Sequence, residues 1–172
     1  MKIFIILFVF FYHSNVNAIN IATVDLDRII NKSSSYLIFL EKINIFIAKE
    51  SAIFKDNEAI LQANKLDIES KKSILNESEF NKLILNHNDQ LNIYQNNITK
   101  FNLLIDENIE INKKIIIDKI LEILETVSIE KNYDLVLTNN NFLLAQNKFD
   151  ISNQVINKLN EYEIILNTYK IN

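Results

Sequence analysis

The sequence predicts a mainly α-helical protein with a small β part, in which a long antiparallel helical hairpin projects from a small β-body that oligomerises. Three observations predict this fold class. The 172 residues contain no glycine and no proline, which favours a few long elements because tight turns lack their usual residues. Apolar pairs recur every seven residues in the first half of the chain. Short strand-like runs lie on both sides of this helical region.

The composition excludes several functional classes. Without cysteine, the chain has no disulfide, no thiolate nucleophile and no cysteine-ligated zinc. Without glycine, it has no glycine-rich loop that could cradle a phosphate group. Its net charge of −4, from 22 acidic and 18 basic residues, gives no basic footprint for nucleic acid. We therefore expect a protein that is not an enzyme, with no cofactor, no metal and no nucleic-acid partner.

Residues 1–18 have the order of a secretory signal peptide. Lys2 gives a positive start, an apolar run extends from Ile3 to Tyr12, and Val16-Asn17-Ala18 fits a small-residue cleavage site. This run is too short to cross a bilayer, which needs about 20 residues. We expect cleavage before Ile19 and no stable membrane insertion, with an uncleaved anchor as the alternative. In a Gram-negative cell the product would be periplasmic.

The mature chain begins with a predicted strand and a short helical turn. Residues Ile21 to Leu26 start with β-branched side chains and predict a strand. Asp27 is placed to cap a short helical turn that continues to Ile30. The serines at positions 33–35 then interrupt the chain and supply the next N-cap candidates.

Apolar pairs recur every seven residues between Tyr36 and Leu75, where no helix breaker occurs. Such a repeat over six periods requires a helix that supercoils against a partner. A strand cannot use it, because strand side chains alternate with period two. The complementary seam position is apolar at Ile43 and polar in later repeats, so the stripe is narrow and can hold one partner helix. The pairs, in which Asp67 is the one polar member, are Phe39-Leu40, Phe46-Ile47, Ile53-Phe54, Ile60-Leu61, Asp67-Ile68 and Ile74-Leu75.

A second helix is predicted from Glu77 to about Lys131. Asn76 followed by Glu79 has the pattern of an N-cap with glutamate three residues into the helix. Apolar residues then recur at spacings of four and three from Phe80 to Ile105, after which the frame slips by one. Two long helices joined by a few residues must fold back antiparallel. The hairpin is thus assigned to residues 35–131.

The last third of the chain predicts the remainder of the β-body. Tyr133 to Thr138 predicts a strand. The three asparagines at 139–141 can form a left-handed turn in place of glycine, and Phe142 to Ala145 predicts the return strand. Asp150 is placed to cap a helix that has one apolar side.

Residues 19–34 and 132–160 together form the predicted β-body, and residues 161–172 form a tail without a predicted structure. Three short strands and a small helix bury little apolar surface, so such a body is marginal alone. Its strand edges would be unpaired in a monomer, and closed symmetric assembly would pair them. The candidate oligomerisation core is Ile21, Val24, Leu26, Leu135, Leu137, Phe142 and Leu144.

Two terminal motifs resemble the Skp (OmpH-like) family. Residues 21–30, with the sequence IATVDLDRII, are similar to the family's opening strand and helix. The second motif consists of residues 133–138, with the sequence YDLVLT, followed by residues 150–152 and 155–160. It resembles the family's closing strands and C-terminal helix. The resemblance covers almost all of the mature chain.

The resemblance implies a homotrimer whose β-body carries three helical tentacles around a cavity. It also implies an ATP-independent holding chaperone that binds unfolded outer-membrane proteins in the periplasm. One feature departs from the family's pattern. Well-known members have basic tentacle tips, whereas residues 62–92 contain four lysines and five acidic residues. Lipopolysaccharide contact through basic residues is therefore not supported by this sequence.

Apolar residues where polar ones interrupt the seam are the candidate client-binding residues. A complete knobs-into-holes seam covers its apolar side chains. Side chains that are covered only in part can hold exposed segments weakly and at many points. The alternative is that each of them serves only as core between the two helices. The candidates are Phe54, Leu61, Ile68, Phe80, Leu91 and Tyr94.

The isolated polar candidates favour structural roles. His87 lies on the apolar stripe and the only other histidine is in the signal segment, so packing is favoured over metal binding. Asp25 and Asp27 fit capping better than acid–base chemistry, which needs a pocket and a further polar group. Two other functions stay open. One is a coiled-coil spacer or envelope adaptor that docks one fixed partner, and the other is a membrane-surface binder that uses the stripe.

Overall fold

The computed structural model describes residues 18–168 of the chain. Nearly all of the predicted signal segment lies outside this range, so its cleavage stays a prediction. Among the described helices, none combines the length and the apolar character needed to span a bilayer. The elements in chain order are β1 (Ile21–Val24), α1 (Leu26–Asn31), α2 (Ser34–Ser70), α3 (Glu77–Lys131), β2 (Leu135–Thr138) and α4 (Ser152–Asn160).

Helices α2 and α3 form a long antiparallel hairpin, and with the small sheet they confirm the predicted mainly helical fold with a small β part. Oligomerisation of the body stays a prediction. Phe46 on α2 lies against Phe101 on α3, and Phe54 on α2 lies against Tyr94 on α3. The residue number on α3 falls as the residue number on α2 rises, so the two helices are antiparallel. At about 1.5 Å per residue, α2 is about 55 Å long and α3 about 80 Å. Because α3 is the longer helix, its last turns continue past the start of α2 into the body.

Side chains fix where both long helices begin. The Ser33 hydroxyl accepts a hydrogen bond from the N–H of Tyr36 at 3.4 Å, immediately before α2. The Asn76 side chain accepts from the N–H of Glu79 at 3.0 Å, immediately before α3. Each bond satisfies an N–H group that has no partner inside its helix. The predicted bounds of the second helix are confirmed at both ends.

The hairpin turn is longer than the sequence pattern suggests. Helix α2 ends at Ser70 instead of the predicted Leu75, because residues 71–76 are needed to reverse a chain without glycine or proline. The turn keeps internal hydrogen bonds: the N–H groups of Ile74 and Leu75 both donate to the carbonyl of Lys71 at 3.0 Å.

A left-handed residue ends α3. Asn132 has φ 55° and ψ 44°, and the N–H of Tyr133 donates to the carbonyl of Ser128 at 2.9 Å. Asn132 is the only residue with positive φ between residues 18 and 168. Asparagine tolerates this conformation better than most non-glycine residues, so it takes the place of the glycine that often ends a helix.

The prediction of a left-handed turn at residues 139–141 is wrong, and so is the return strand from Phe142 to Ala145. Asn139–Asn141 form a 3-10 turn without positive φ, whereas a tight two-strand hairpin needs positive φ in its turn. The chain therefore does not fold back onto β2. Phe142 is extended, with φ −149° and ψ 157°, but residues 142–145 form no strand within the described chain.

Strands β1 and β2 form a two-stranded parallel sheet in which Ile21 pairs with Leu135 and Val24 with Thr138. Parallel strands need a long crossover, and here the whole helical hairpin is that crossover. On the other edge of β1, the N–H of Ile151 donates to the carbonyl of Thr23 at 2.9 Å. The chain leading into α4 thus contributes a single bridge where the sequence suggested a third strand.

Two aspartates form hydrogen bonds that organise the body, and both predicted helix caps differ from the structure. Asp25, not Asp27, caps α1: its carboxylate accepts from the N–H of Arg28 at 2.9 Å. The helix starts at the residue after Asp25, so Asp27 lies one position inside the first turn. Asp150 does not cap α4 as predicted, because the N-cap residue is Ile151 and it makes no side-chain capping bond. The Asp150 carboxylate, one residue earlier, accepts from the N–H of Ser152 at 2.8 Å and from its hydroxyl at 2.6 Å. It also accepts from Arg28 at 2.7 Å.

The core lies where the end of α3 meets β1, α1, α4 and the first turns of α2. Burial of apolar area is the main favourable contribution to folding, and nearly all of it is at this base. Along residues 44–104, Ile68 is the one buried apolar side chain, so most of the hairpin lies outside the core. The fully or almost fully buried apolar residues of the base are Ala22, Ile29, Phe39, Ile43, Ile116, Ile120, Val127, Val155 and Leu159.

Candidate functional site

Aromatic side chains hold the hairpin seam beyond the core. The ring centroid of Phe101 lies 5.7 Å from that of Phe46 and 5.4 Å from that of Phe54. Phe54 also lies edge-on to Tyr94, with 6.3 Å between centroids. Ring pairs of this kind add about 0.5–1.5 kcal/mol beyond the area that they bury. They fix the two helices side by side at the point where the apolar stripe becomes narrow.

A groove opens in the hairpin beside these rings, with a volume of about 350 Å³. The half-buried residues Phe54, Leu61 and Tyr94 line it together with Ile60 and Ile93, which are 57% and 60% exposed. None of its lining residues is charged. The remaining lining residues are all amides, namely Asn57, Asn64, Gln90 and Asn97.

A row of exposed apolar residues on α2 was not singled out from the sequence. It consists of Ile53 and Ile60, the first members of two apolar pairs, which are 45% and 57% exposed; Ile74, the first member of the last pair, is 79% exposed in the turn that follows α2. Adjacent residues on a helix lie about 100° apart, so both members of a pair cannot face a single partner helix. From the third pair onward the first members face solvent, whereas Phe39 lies in the core and Phe46 packs against Phe101 of α3. The sequence contained this signal, because the one polar member, Asp67, also lies in the exposed row.

The six predicted client-binding residues all lie in or beside the seam. Ile68 is 7% exposed and is therefore buried between the helices. It lines a second cavity of about 220 Å³ near the tip together with Leu91. Phe80 is half-buried in the first turns of α3 and lines neither cavity. The three that the structure brings together in the open groove are Phe54, Leu61 and Tyr94.

His87 lines the cavity near the tip with Lys65 and Glu69. Its Nδ1 atom is buried and has no hydrogen-bond partner among the described residues. Within residues 18–168, no three or more histidine, aspartate or glutamate side chains are grouped so that they could hold a metal ion. The position of His87 is that of a side chain packed into the seam.

Charges near the hairpin tip are mixed in sign. The four lysines and five acidic residues between positions 62 and 92 sum to a charge of −1. Lys71 is paired with Asp67 at 2.6 Å, one helical turn away. An exposed pair of this kind contributes less than about 1 kcal/mol. The tip therefore presents no basic patch to an acidic ligand.

The face of the sheet that points away from the core carries part of the predicted oligomerisation set. Ile21 and Leu135 are paired across the sheet, and Leu137 lies on the same face because strand side chains alternate. Further along the chain, Leu143 and Leu144 are 107% and 91% exposed. Leu143 was not predicted. Leu135, Leu143 and Leu144 are thus exposed in the single chain, and Ile21 and Leu137 are covered only in part.

Three other residues of that predicted set contact the chain's own body. Val24 is 2% exposed and belongs to the core, and Leu26 packs against that core. Phe142 is half-buried and lines a small cavity of about 170 Å³ with Val24 and Asp25. These three side chains have partners within one chain, unlike the exposed leucines.

Comparison with known proteins identifies the family. A family model described as outer membrane protein (OmpH-like) matches residues 20–159. The fold is similar to that of an OmpH-like protein from Caulobacter crescentus CB15, to which an outer-membrane chaperone role has been attributed. The TM-score is 0.72 at 12% identity, over 84% of this chain and 85% of that chain. No curated protein matches the chain in sequence. Since the family match covers well over half of its length, this chain belongs to the OmpH-like family.

Proposed function

We propose that this chain is a periplasmic holding chaperone that binds unfolded outer-membrane proteins without ATP and keeps them from aggregating before insertion. The observation that carries the proposal is the uncharged, half-open groove on a hairpin that lies outside the core. Membership of the OmpH-like family supports it, as does the fold shared with a protein to which a chaperone role has been attributed.

The groove offers the two kinds of contact that an unfolded segment needs. An unfolded chain exposes apolar side chains and unpaired peptide groups at the same time. Phe54, Leu61 and Tyr94 offer apolar surface. The four amide side chains of the lining each offer donors and an acceptor, so they can pair with a peptide group in either direction. This chemistry favours unfolded segments in general, whatever their particular sequence.

The exposed apolar row extends this contact along the hairpin. Ile53 and Ile60 are one heptad apart on α2, about 10 Å at 1.5 Å per residue, and Ile74 is exposed in the turn at the hairpin tip. Each contact alone is weak, but several contacts to one client raise its local concentration and hold it without a tight individual site. A holding chaperone must also release its client, and many weak contacts permit release.

Because of the charges at the hairpin tip, we propose that clients are held through apolar contacts and not through charge attraction. With a net charge of −1 between positions 62 and 92, the tip has no excess of cations to attract acidic segments or lipopolysaccharide phosphates. We therefore do not extend the proposal to lipopolysaccharide. Salt should change client holding little, because uncharged groups form the groove.

We also propose that the working form is a homotrimer assembled through the exposed face of the body. Ile21, Leu135 and Leu137 share one face of the sheet, and the strongly exposed Leu143 and Leu144 follow. A two-stranded sheet has edges without partners, and closed assembly would cover them. Three hairpins around one axis would multiply the contacts that each client makes.

Dilution of a urea-unfolded β-barrel membrane protein tests the function. The chain from residue 19 onward should suppress light scattering at about one trimer per client. The double variant Ile60→Ser/Ile93→Ser removes the two exposed apolar side chains of the groove and should need several-fold more chaperone. The control is Leu121→Ser/Ile129→Ser, which changes two similarly exposed side chains at the base of α3. This control should behave like the unaltered chain.

A spacer or adaptor that docks one fixed partner predicts a different result. Such a protein would leave the client's light scattering unchanged at every ratio tested. Equal loss of activity in the groove variant and its basal control would also contradict the proposal, because the effect would then not belong to the groove.

A further inference from the structure

Residues 161–168, which follow α4, lie along the base of the hairpin; we call them the strap. The family match ends at residue 159, so the strap lies outside the part of the chain that the family shares. The strap has no helix or strand of its own. Side chains of the two hairpin helices bind its backbone. The N–H of Ile164 donates to the Ser35 hydroxyl at 3.2 Å, and Asn167 is bound by Asn112.

Asn112 binds the backbone of one residue through both of its polar groups. Its Oδ1 accepts from the N–H of Asn167 at 3.1 Å, and its Nδ2 donates to the carbonyl of Asn167 at 2.9 Å. The second Nδ2 hydrogen goes to the carbonyl of Asn108 at 2.8 Å, one turn earlier on α3. Asn112 is fully buried. A carboxamide held in this way reproduces the hydrogen bonds of a neighbouring β-strand, so it can recognise an extended backbone irrespective of side chains.

The strap has the side-chain pattern of a strand. Ile164, Leu166 and Thr168 are partly buried, whereas Glu163, Ile165 and Asn167 are exposed. Ile164 and Leu166 pack against the main core. This strict alternation is what an extended segment shows when one face is covered. The site thus accepts apolar side chains at every second position and leaves the positions between them to solvent.

The strap does not fill its site. A cavity of about 270 Å³ remains between it and α2, lined by Ser35, Ile38, Phe39 and Lys42. Ile165 is 75% exposed. Within the described chain, and apart from the cap of α4, the backbone hydrogen bonds of the strap go to two side chains, Ser35 and Asn112. Packing of Ile164 and Leu166 on the core and the contact of Lys119 with the Tyr162 ring, 4.2 Å from its centroid, add to these bonds. Another extended segment with apolar side chains at the same positions can make the same backbone bonds and packing, so the two can exchange.

We propose that the base of the hairpin is a second peptide-binding site, which the chain's own strap occupies and from which an extended segment of an unfolded client displaces it. The site would take extended segments with alternating apolar side chains. Strands of membrane β-barrels have this alternation. The choice of such a strand as the segment that displaces the strap rests on the function proposed above. A tethered strap has an effective concentration of about millimolar, so only a client already held by the hairpin competes well.

Peptide binding in trans tests the site without reference to chaperone activity. A chain that ends at Asn160 is mixed with a labelled peptide of residues 161–168, and binding is followed by fluorescence anisotropy. The peptide should bind this shortened chain at least tenfold more tightly than the intact chain. Methylation of the peptide nitrogen of Asn167, or Asn112→Ala in the shortened chain, should weaken binding about tenfold. Methylation at Ile165, whose N–H makes no hydrogen bond to the described residues, should have little effect.

Hydrogen exchange in the intact chain gives a second arm that does not need the shortened chain to fold. The N–H of Asn167 should be protected, should lose this protection in Asn112→Ala, and should lose it in the unaltered chain when an unfolded β-barrel client is added. If the client's aggregation is suppressed while Asn167 stays protected, the proposed exchange is wrong and the chaperone function stands. Failure of the peptide to bind a shortened chain that circular dichroism shows to be folded would overturn the site itself.

Discussion

The ring of Phe54 on α2 lies edge-on to the ring of Tyr94 on α3, with 6.3 Å between their centroids. Both rings also line the uncharged groove. The same contact therefore holds the two helices together and forms part of the surface that we propose for clients. Substitutions at these two positions should change hairpin stability and client holding together, whereas substitutions at exposed Ile60 and Ile93 should change client holding alone.

The ring contact predicts measurable coupling. Phe54→Leu and Tyr94→Leu, singly and combined, should give a coupling free energy of about 0.5–1.5 kcal/mol in a double-mutant cycle. The free energy of unfolding in urea is the measurement. Phe46 and Tyr94 lie at different heights along the seam, so the same cycle between these two should give a smaller value. A coupling near zero for Phe54 and Tyr94 would mean that the rings do not meet.

The left-handed conformation of Asn132 predicts opposite effects of two small substitutions. With φ at 55°, Asn132→Gly should leave stability unchanged or raise it, because glycine has no steric cost there. Asn132→Ala should lower the free energy of unfolding by about 1 kcal/mol, because alanine tolerates this conformation poorly. Thermal or urea unfolding distinguishes the two variants. If alanine were as stable as glycine, α3 would end in some other way.

The carboxylate of Asp150 leads us to expect that the fold loses stability in acid. Burial raises the pKa of its carboxyl, but hydrogen bonds from Ser152 and Arg28 outweigh burial and hold this pKa below its ordinary value of 3.8. Since the folded-state pKa is the lower one, the ionised carboxylate stabilises the fold above the unfolded-state pKa. This contribution is lost as the pH falls through the folded-state pKa.

The matching measurement is the melting temperature of the unaltered chain and of Asp150→Asn from about pH 6 to about pH 3. The unaltered chain should be the more stable at the upper end, and the gap should shrink toward the lower end. Ser152→Ala removes one of the hydrogen bonds that lower this pKa and should move the acid loss of stability to higher pH. A gap that stays constant over the whole range would contradict the assigned role of Asp150.

Charged substitutions at the exposed leucines of the body should prevent assembly of the trimer. Leu143→Asp/Leu144→Asp should convert a trimer into single chains, because charges placed on both side chains would oppose burial between subunits. Light scattering with size exclusion gives the mass directly. Leu103→Asp, at an exposed position on the hairpin, should leave the mass at three copies. A mass of one copy for the unaltered chain would remove the basis for the trimer.

The long helices could be predicted from the sequence because a seven-residue repeat and an absence of breakers are local properties. The start of α3 at Glu77 and its end at Lys131 follow from the Asn76 cap and the loss of periodicity. A further geometric rule was needed to predict which side chains of these helices face the partner helix. Two adjacent residues cannot both face one helix, and this rule separates the seam residue Leu61 from the exposed Ile60.

The loops and the strap could not be predicted in the same way. The left-handed asparagine is Asn132 and not one of residues 139–141, because many asparagines can adopt this conformation and only the end of a helix requires it. The strap depends on Asn112, which lies about one-third of the chain away from Asn167. Such a long-range amide contact leaves no periodic trace in the sequence.

Photo-cross-linking from within the groove tests most directly whether unfolded clients lie against it. A photoreactive phenylalanine analogue replaces Ile60 or Ile93 in one set of samples. In the matched set it replaces Leu121 or Ile129, which lie near the end of α3 and line neither the groove nor the cavity beside the strap. With an unfolded β-barrel protein added, we expect strong cross-links from residues 60 and 93 and weak ones from residues 121 and 129. Equal cross-linking at all four positions, or none from the groove while aggregation is still suppressed, would contradict a client site between the two helices.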